Sequence, residues 1–308
     1  MSKITDLIKK IVLENNIKGK VELNYNLSKL SWFGVAGKAE VFYIPDTSNE
    51  LALFLSLLPT NINRTVIGMG SNLLIRDGGI DGLIIKLGKN FSGIDIEEGD
   101  LVRVGASVPD KVLSKFCSSQ SIEGFEFLTG IPGCIGGAVA MNAGCYGSEI
   151  KDIFHSAKCL DYFGKEVNID KSEKFFSYRN NTRAKDLIIL DVKFKKVIGN
   201  KDQIINKMKE INNNRILSQP QKVRTAGSTF KNPISQSKKK AWELIELSGA
   251  KIIEGDNIAL SDKHANFIVN KQFESANNIE SFGELIRERV FIKTGISLEW
   301  EIKILGKE

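Results

Sequence analysis

The stretch that decides the fold is Thr129-Gly-Ile-Pro-Gly-Cys-Ile-Gly-Gly-Ala-Val-Ala-Met-Asn-Ala-Gly-Cys-Tyr-Gly147, called here the second glycine segment. Glycine weakens helices and strands, so such a run is kept where the backbone must approach another group closely or adopt positive φ. The segment has no lysine or arginine, and backbone N–H groups must therefore hold any phosphate bound there. A buried, tightly turning crossover that binds nothing is the alternative, and this segment alone does not exclude it.

A shorter cluster, Gly68-Met69-Gly70-Ser71-Asn72, is called here the first glycine segment. It lies between two apolar runs that predict strands, Thr65–Ile67 and Leu73–Ile75. This order is not the Rossmann fingerprint, which needs Gly-x-Gly-x-x-Gly at the start of a helix. A loop between strands can still bind a pyrophosphate through successive N–H groups. Two such segments indicate a large cofactor with a diphosphate and a flat ring.

Both glycine segments resemble the flavin-binding signatures of the UDP-N-acetylenolpyruvoylglucosamine reductase family. Three further motifs follow in the family's order: Tyr178-Arg179, residues 227–233 (Gly-Ser-Thr-Phe-Lys-Asn-Pro) and residues 298–301 (Leu-Glu-Trp-Glu). The resemblance spans roughly residue 24 to the C-terminus. It implies an α+β protein, with an FAD-binding domain of the vanillyl-alcohol-oxidase (PCMH) type and a smaller C-terminal α+β substrate domain. The interval from Arg179 to Asp202 is too short for the tyrosine-bearing insertion of one branch, so the chain resembles the shorter branch.

The resemblance implies non-covalent FAD, with NADPH as the hydride donor. No histidine lies between Arg64 and Asn72, so the covalent histidyl attachment of some relatives of this fold is not expected. The cofactor-binding residues that the resemblance implies are Gly68, Met69, Gly70, Ser71, Asn72, Leu73, Gly130, Ile131, Pro132, Gly133, Gly136, Gly137, Ala138, Asn142 and Gly144.

The family's reaction, as the resemblance implies it, reduces UDP-N-acetylglucosamine enolpyruvate to UDP-N-acetylmuramate, a peptidoglycan precursor. The motifs then make Ser228 the proton donor, Arg179 the partner of the substrate carboxylate, and Glu301 a group that assists protonation or hydrogen-bonds the charged intermediate. Without the resemblance, each residue has a simpler interpretation: Ser228 as a turn-forming serine, Arg179 as a surface arginine and Glu301 as a solvent-exposed glutamate.

Substrate contacts are also implied by the resemblance, at Tyr178, Lys231, Asn232, His264 and Arg224. Lys231, Arg215 and Arg224 are candidates for pairing with the UDP diphosphate, and the sequence does not rank them. Two other functions stay open. One is another FAD oxidoreductase of this fold acting on an alcohol or a hydroxy acid, and the other is a nucleotide-sugar or nucleic-acid binding protein without redox chemistry.

Composition excludes several classes of protein. The chain has 308 residues, 42% hydrophobic and 26% charged, with net charge +6, as expected of a globular protein with two domains. Its lysines are scattered, so no nucleic-acid surface is expected. Four cysteines without a Cys-x-x-Cys pair and two histidines predict no metal site and no disulfide scaffold. The apolar run Leu51–Leu58 is far shorter than the about 20 residues of a membrane span. We expect a cytoplasmic monomer without a membrane partner.

Patterning predicts a domain boundary near Gly199. The resemblance implies that 1–199 is the FAD-binding region, made of subdomains 1–60 and 61–199, and that 200–308 is the substrate-binding domain. Thr47 and Glu50 predict a capping box. The alternation of Ile296–Leu305 predicts a strand with one apolar face. Amphipathic or capped patterns predict helices over 5–16, 109–118, 202–217 and 237–248, and an apolar face at Ile279, Phe282, Ile286 and Val290 predicts a further helix that stops at Gly295.

Overall fold

The computed structural model describes residues 3–253, 255 and 257–308, and its mixture of helices and strands confirms the α+β class. Contacts divide the chain into two compact units. The first takes in the chain up to Leu23, Glu40–Met69 and Gly82–Asn214. The second takes in Asn24–Ala39, Gly70–Asp81 and Arg215–Glu308.

This division differs from the predicted contiguous ranges, 1–199 and 200–308. Phe33 and Leu74 are fully buried in the core of the second unit, so the N-terminal half of the chain contributes to it. The helix Lys201–Ser218 lies mostly in the first unit, where its buried Ile211 lies against Gly130. A contiguous boundary near Gly199 could not take account of these long-range contacts.

Two sheets hold most strands of the first unit. The four-stranded sheet has the order Lys20–Asn26, Lys38–Ile44, Ile80–Ile85 and Arg64–Val66, and its last two strands are parallel. The five-stranded sheet is antiparallel throughout, in the order Glu166–Asp170, Phe154–Asp161, Leu187–Lys195, Leu101–Gly105 and Ile94–Glu97.

Helices and short strands complete the first unit. The described helices are Lys3–Glu14, Ser48–Ser56, Asp110–Ser119, Ile135–Met141, Ile150–Ile153 and Lys201–Ser218. Two-residue strands pair as Gly144–Cys145 with Ser148–Glu149, Phe176–Ser177 with Asn180–Asn181, and Val197–Ile198 with Ile122–Glu123. Ile135–Met141 was not predicted, because two glycines within it lower its helix propensity.

Two apolar cores stabilise the first unit. One surrounds Phe154 and Phe194, and the other surrounds Phe54 and takes in Ile8 and Ile11 of the N-terminal helix, which therefore packs on the protein as predicted. The predicted capping box is only half formed. Thr47 accepts a hydrogen bond from the N–H of Glu50. The Glu50 carboxylate instead accepts from backbone N–H groups at Lys18, Gly19 and Asp46 and from the Tyr43 hydroxyl.

The second unit is built around one long helix, Ala276–Thr294, which ends at Gly295 with φ +70°. Its predicted apolar face is buried, as expected. The helix predicted over 237–248 is shorter, Ala241–Leu247. Two strand pairs accompany the helices: Ile258–Leu260 is antiparallel to Ile268–Asn270, and Lys303–Leu305 is parallel to Leu73–Ile75.

The C-terminal segment keeps its predicted apolar face but not its predicted length as a strand. Leu298 and Ile302 are buried, whereas regular strand structure is confined to Lys303–Leu305. Residues 299–301 hydrogen-bond instead to residues 229–231. Between them, the Trp300 ring lies against Gly283 and its Nε1–H donates to Glu284 at 2.7 Å.

We expect Gly283→Ala to lower the free energy of unfolding by up to about 2 kcal/mol. Alanine in a helix interior normally gains about 1 kcal/mol over glycine, but here its Cβ would overlap the Trp300 ring, and overpacking costs about 1–3 kcal/mol. Chemical denaturation measures the change. Ser281→Ala, at an exposed position of the same helix, is the control and should be neutral. A gain of about 1 kcal/mol in Gly283→Ala, as expected of alanine in an unobstructed helix, would show that the ring moves aside without cost.

Candidate active site

Close backbone contacts explain some glycines of the second glycine segment. The Gly136 N–H donates to the Ala106 carbonyl at 2.8 Å, and a Cβ on Gly136 would lie 3.0 Å from the Ala106 Cβ. A Cβ on Gly144 would lie 2.5 Å from the Ser148 carbonyl oxygen. These glycines are therefore required by the fold itself.

Gly137 has no such internal reason to be glycine. It is exposed, and a Cβ there would meet only the Cys134 Sγ, at an ordinary 3.9 Å. A glycine inside a helix costs about 1 kcal/mol relative to alanine. Since the chain accepts this cost without a steric need, the backbone at Gly137 fits the close approach of a ligand, as the flavin-binding signature requires.

The Cys134 thiol connects the two glycine segments within the first unit. Backbone N–H groups of Met69 and Gly137 approach its sulfur, and a Cβ on Gly68 would lie 2.8 Å from it. Burial raises the pKa of this thiol, so it stays protonated at neutral pH. The residues Gly68, Met69 and Gly137, all predicted to bind the cofactor, are thereby brought together around a neutral group.

Lys86 is a residue that sequence reasoning missed. Its half-buried ammonium donates to the Gly68 carbonyl at 2.7 Å, and burial lowers the pKa of the ammonium. No salt bridge to Lys86 occurs in the part of the chain that the structure describes. The residue thus places positive charge beside a glycine segment that has none. A lysine directly after the buried strand residues Leu83–Ile85 was the available signal.

A tight hairpin presents Arg179. Strands Phe176–Ser177 and Asn180–Asn181 pair, which leaves Tyr178 and Arg179 as a two-residue turn. Arg179 has φ +52°, a left-handed conformation that costs roughly 1–2 kcal/mol for a residue with a Cβ. Its guanidinium lies 5.2 Å from the Tyr178 ring centroid and donates through Nη2 to the Gly144 carbonyl at 2.6 Å. The predicted catalytic arginine therefore contacts the second glycine segment.

Asn142 holds that hairpin in place. It ends the helix Ile135–Met141 in a left-handed conformation and is fully buried. Its amide Nδ2 donates to the Ser177 carbonyl at 3.0 Å and to the Glu149 carboxylate at 2.9 Å, while its Oδ1 accepts from the Lys151 N–H. The cofactor-binding role of Asn142 stays a prediction, since these protein contacts engage both ends of its amide.

Ser228 and Glu301 are brought together in the second unit by backbone pairing. The Glu301 N–H donates to the Thr229 carbonyl, and the Lys231 N–H donates to the Glu299 carbonyl, each at 2.8 Å. Phe230 and Trp300 form an antiparallel bridge between these bonds. Ser228 is therefore the immediate neighbour of the residue that is paired with Glu301, although the two are far apart in sequence.

The loop after Ser228 is rigidly anchored. Thr229 is fully buried, and its Oγ1 accepts from the Ile268 N–H. The Asn266 amide makes two hydrogen bonds to the backbone of Phe230, at 3.0 and 2.8 Å. Ser228 itself is half-buried, and among the described residues its hydroxyl has no hydrogen-bond partner. A fixed backbone with an uncommitted hydroxyl suits a group that must donate to a substrate.

Part of the first glycine segment lies in the second unit as well. Gly70 has φ +71°, and a Cβ there would overlap the Leu30 carbonyl oxygen. Asn72 donates through Nδ2 to the Glu301 carbonyl at 3.1 Å. Leu73 begins the strand that pairs with Lys303–Leu305. A segment predicted to bind the cofactor is thus bonded directly to the segment of the predicted acid.

Two positively charged side chains that were predicted to bind the substrate, Lys231 and Arg224, already interact with other groups of the protein. The Lys231 ammonium lies 3.1 Å from the Glu299 carboxylate. Arg224 stacks at 3.5 Å over the Phe273 ring and donates to the Lys271 carbonyl at 3.0 Å. The structure does not rank Lys231, Arg215 and Arg224 as partners of a diphosphate, and this assignment stays open.

Asn232 and His264 also have local partners. The Asn232 Oδ1 accepts from the Ala241 N–H at the start of a helix, which leaves its Nδ2 to donate to a substrate. The His264 Nδ1 accepts from the Asn266 N–H at 3.2 Å, so the neutral ring carries its proton on Nε2. Burial lowers the pKa of His264, which keeps the ring neutral. Their substrate contacts stay predictions.

A separate cavity of about 480 Å³ in the first unit contains none of the predicted site residues. Asp191, Arg103 and Lys158 are among its charged lining residues. Burial raises the pKa of Asp191, and the nearby Arg103 and Lys158 oppose that shift. The cavity therefore has a mixed charge and does not define a class of ligand.

Comparison with known proteins identifies the family. The family model described as "UDP-N-acetylenolpyruvoylglucosamine reductase, C-terminal domain" matches residues 219–305, and that described as "FAD binding domain" matches residues 39–170. A UDP-N-acetylenolpyruvoylglucosamine reductase of Rickettsia akari is 46% identical over 291 residues, which are 94% of this chain and 97% of the relative. The chain belongs to the UDP-N-acetylenolpyruvoylglucosamine reductase family.

Further members of the family agree with this result. The Rickettsia bellii reductase is 45% identical over 94% of this chain and 95% of its own length. The crystal structure of the Thermus caldophilus reductase superimposes with a TM-score of 0.80 at 29% identity, over 94% of this chain and all of that chain. These matches confirm the predicted family, the FAD-binding domain and FAD as the cofactor.

Other site classes find no support in the described residues. These contain no cluster of three or more histidine, cysteine, aspartate or glutamate side chains suited to a metal ion. Nor do they include a helix with the length and apolarity needed to cross a bilayer. All four cysteines are free thiols, three of them buried.

Beside the second glycine segment, Asp110 is a buried carboxyl without a partner. Its N–H donates to the Gly133 carbonyl at 3.1 Å, but its side chain is only 1% exposed. Neither carboxylate oxygen has a hydrogen-bond partner among the described residues. Burial raises the pKa of Asp110 well above its ordinary value of 3.8.

We expect Asp110→Asn to gain stability over the wild type as pH rises. The folded state binds the Asp110 proton more tightly than the unfolded chain, so the wild type loses stability from about pH 3.8 up to the raised pKa of the folded state. Denaturant unfolding at a series of pH values should therefore show a small difference below pH 3.8 and a growing one above it. Asp262→Asn, at an exposed position, is the control. A difference that is constant with pH would contradict the assignment.

Proposed function

We propose that the protein reduces UDP-N-acetylglucosamine enolpyruvate to UDP-N-acetylmuramate, a step in the synthesis of peptidoglycan precursors, with FAD and NADPH. The observation that supports the proposal is the hydrogen bond from the Glu301 N–H to the carbonyl of Thr229, the chain neighbour of Ser228. Serine and glutamate in this arrangement, in a chain with two flavin-binding signatures, match the chemistry of reducing an activated double bond.

The glycine segments hold the cofactor through backbone groups, and Lys86 and the neutral Cys134 support the part of them that lies in the first unit. These segments would hold FAD, and bound FAD would supply hydride chemistry, the transfer of a hydride from NADPH to the methylene carbon of the enolpyruvyl ether. We assign the cofactor chiefly to the segments Gly68–Leu73 and Gly130–Gly144, and the nucleotide-sugar substrate chiefly to the second unit.

Ser228 completes the reduction with a proton. Addition of a hydride to the methylene carbon leaves negative charge on the neighbouring carbon and its carboxylate. The Ser228 O–H bond breaks as a new C–H bond forms at that carbon, so one hydride and one proton add across the double bond. A serine hydroxyl is a weak acid, and it serves because the carbon is strongly basic. Glu301 hydrogen-bonds the charged intermediate or assists this transfer.

Arg179 binds the substrate carboxylate. Its planar guanidinium matches a carboxylate with two parallel hydrogen bonds and stabilises the charge that develops during reduction. The turn that carries it accepts a hydrogen bond from Asn142, and the Arg179 guanidinium donates to the Gly144 carbonyl. Tyr178, Lys231, Asn232, His264 and Arg224 are proposed as further contacts to the nucleotide sugar.

We expect Ser228→Ala to separate the two half-reactions. Reduction of the flavin by NADPH should stay close to the wild-type rate, because Ser228 takes no part in it. Reoxidation by the enolpyruvyl substrate should slow by about 10²–10⁴-fold, the usual contribution of a proton donor. Stopped-flow spectra of the flavin measure both rates. Ser235→Ala, an exposed serine nearby, is the control. Equal slowing of the two half-reactions would remove Ser228 from this role.

The purified protein should show flavin absorbance or gain it when FAD is added. Reduced with NADPH, it should be reoxidised by the enolpyruvyl substrate with formation of the lactyl ether. An oxidoreductase of alcohols or hydroxy acids would instead be reduced by such a substrate, and a binding protein without redox chemistry would show no flavin at all. Product analysis by mass spectrometry distinguishes these outcomes.

We further propose that the enzyme works in the cytoplasm as a monomer. The cytoplasm holds NADPH and keeps thiols reduced, in agreement with four free cysteines. Each chain carries all the residues assigned above. Sedimentation of the purified protein tests the oligomeric state, and a stable dimer at low concentration would exclude the monomer.

A further inference from the structure

Asn72 ends the first glycine segment, and two of its hydrogen bonds lead to the C-terminal segment. Its Nδ2 donates to the Glu301 carbonyl at 3.1 Å. Its own carbonyl accepts from the Lys303 N–H at 3.0 Å. One residue therefore bonds to the chain on both sides of the buried Ile302. Asn72 and Glu301 are 229 positions apart in sequence, so the fold alone creates this connection.

The hydrogen bond from Asn72 to Glu301 lies outside the regular pairing of the two strands. Lys303–Leu305 pairs in parallel with Leu73–Ile75, and this ladder begins at Lys303. Glu301 lies two residues before it. The amide of Asn72 therefore extends the pairing from the strand to the Glu301 peptide.

The backbone of Glu301 is thus held on both sides of its Cα. The Glu301 N–H, in the peptide unit before the Cα, donates to the carbonyl of Thr229, the chain neighbour of Ser228, and the Glu301 carbonyl, in the peptide unit after it, accepts from Asn72. Rotation of either peptide unit would redirect the Glu301 side chain. Catalytic groups are sensitive to such movement, because a displacement of about 1 Å can cost roughly 100-fold in rate. The bond to Asn72 therefore has a larger consequence for the position of Glu301 than for overall stability.

The residue type fits this task. Asparagine offers an N–H donor on a short side chain, and the Glu301 carbonyl needs a donor. Aspartate has nearly the same shape but, when ionised, only accepts hydrogen bonds, so it would place a negatively charged oxygen against the carbonyl oxygen. The Asn72→Asp variant loses the donor but keeps nearly the same shape, whereas Asn72→Ala loses both. Comparison of the two therefore separates the effect of the hydrogen bond from the effect of side-chain packing.

We propose that Asn72 is a positioning residue for Glu301, which it holds through the hydrogen bond from its amide to the Glu301 carbonyl. The inference rests on the proposed function, in which Glu301 takes part in the protonation half of the reaction. Asn72, at the end of a flavin-binding signature, would then have a second role, the alignment of Glu301, which acts on the substrate.

The test is a double-mutant cycle on the FAD-bound full chain, with the variants Asn72→Ala, Asn72→Asp, Glu301→Gln and the combination of each Asn72 change with Glu301→Gln. Stopped-flow spectra give the rates of flavin reduction by NADPH and of reoxidation by UDP-N-acetylglucosamine enolpyruvate. FAD titration of the apoprotein and thermal unfolding measure cofactor affinity and stability. We expect both Asn72 variants to slow reoxidation roughly 10- to 100-fold in the wild-type background and less than about 3-fold in the Glu301→Gln background.

Asn270→Ala is the matched control. The Asn270 amide also donates to backbone carbonyls, those of Phe33 and Glu274, in the same unit and at a more buried position. Its loss should lower the melting temperature, and any kinetic effect should be the same in the wild-type and the Glu301→Gln backgrounds. A structural contribution without coupling to Glu301 has this signature.

Three outcomes would overturn the inference while leaving the proposed function intact. Losses that multiply in the double variants would show that Asn72 acts independently of Glu301. A weakened affinity for FAD that accounts for the whole effect, or equal slowing of both half-reactions, would make Asn72 a cofactor ligand only. Reoxidation at the wild-type rate in both Asn72 variants would show that the bond is not needed. A wild-type chain that binds no FAD, or leaves the enolpyruvyl ether unreduced, would overturn the proposed function and this inference with it.

Discussion

The chemistry proposed for the second unit depends on one backbone interaction, the antiparallel contact of residues 229–231 with residues 299–301. Two hydrogen bonds of 2.8 Å align a loop that carries a serine with a segment that carries a glutamate. Buried groups fix each side. Thr229 and Asn266 anchor the loop, and Trp300 lies in the space left by Gly283. Because backbone groups make the alignment, it does not depend on the side chains that we propose to be catalytic.

In the first unit, the glycine segments that we propose to bind the anionic cofactor carry hardly any charge of their own. Backbone at Gly137 is left open, while Gly136 and Gly144 are used for close contacts within the protein. The Lys86 ammonium donates to the Gly68 carbonyl and adds one positive charge. Burial raises the pKa values of Cys134 and Asp110, so these two side chains add little negative charge. The arrangement favours a ligand that approaches backbone closely over one held by many salt bridges.

Sequence patterns predicted what depends on local order. The glycine segments, the apolar face of the helix Ala276–Thr294 and its stop at Gly295 all follow from residue type and spacing. Long-range pairing could not be predicted in this way. Alternation in residues 296–305 correctly indicated which side chains are buried, but burial does not reveal the pairing partner, and the partner of residues 299–301 is a loop far away in sequence. For the same reason, the contribution of Phe33 and Leu74 to the second core was missed.

Within the candidate site, the motif residues were predicted from the sequence, but the residues that hold them in position were not. Ser228, Arg179 and Glu301 stand out by resemblance, whereas Lys86 and the structural tasks of Asn142 and Asn72 became visible only through hydrogen bonds in the folded chain. Asparagine is common in turns, so its presence at the end of a glycine loop carries no information on a distant carbonyl.

The left-handed backbone of Arg179 has an evolutionary consequence. Glycine is the residue best suited to that conformation, so a change to glycine would relax the turn and remove the guanidinium at the same time. Stability and the proposed binding of the substrate carboxylate therefore place opposite demands on this position.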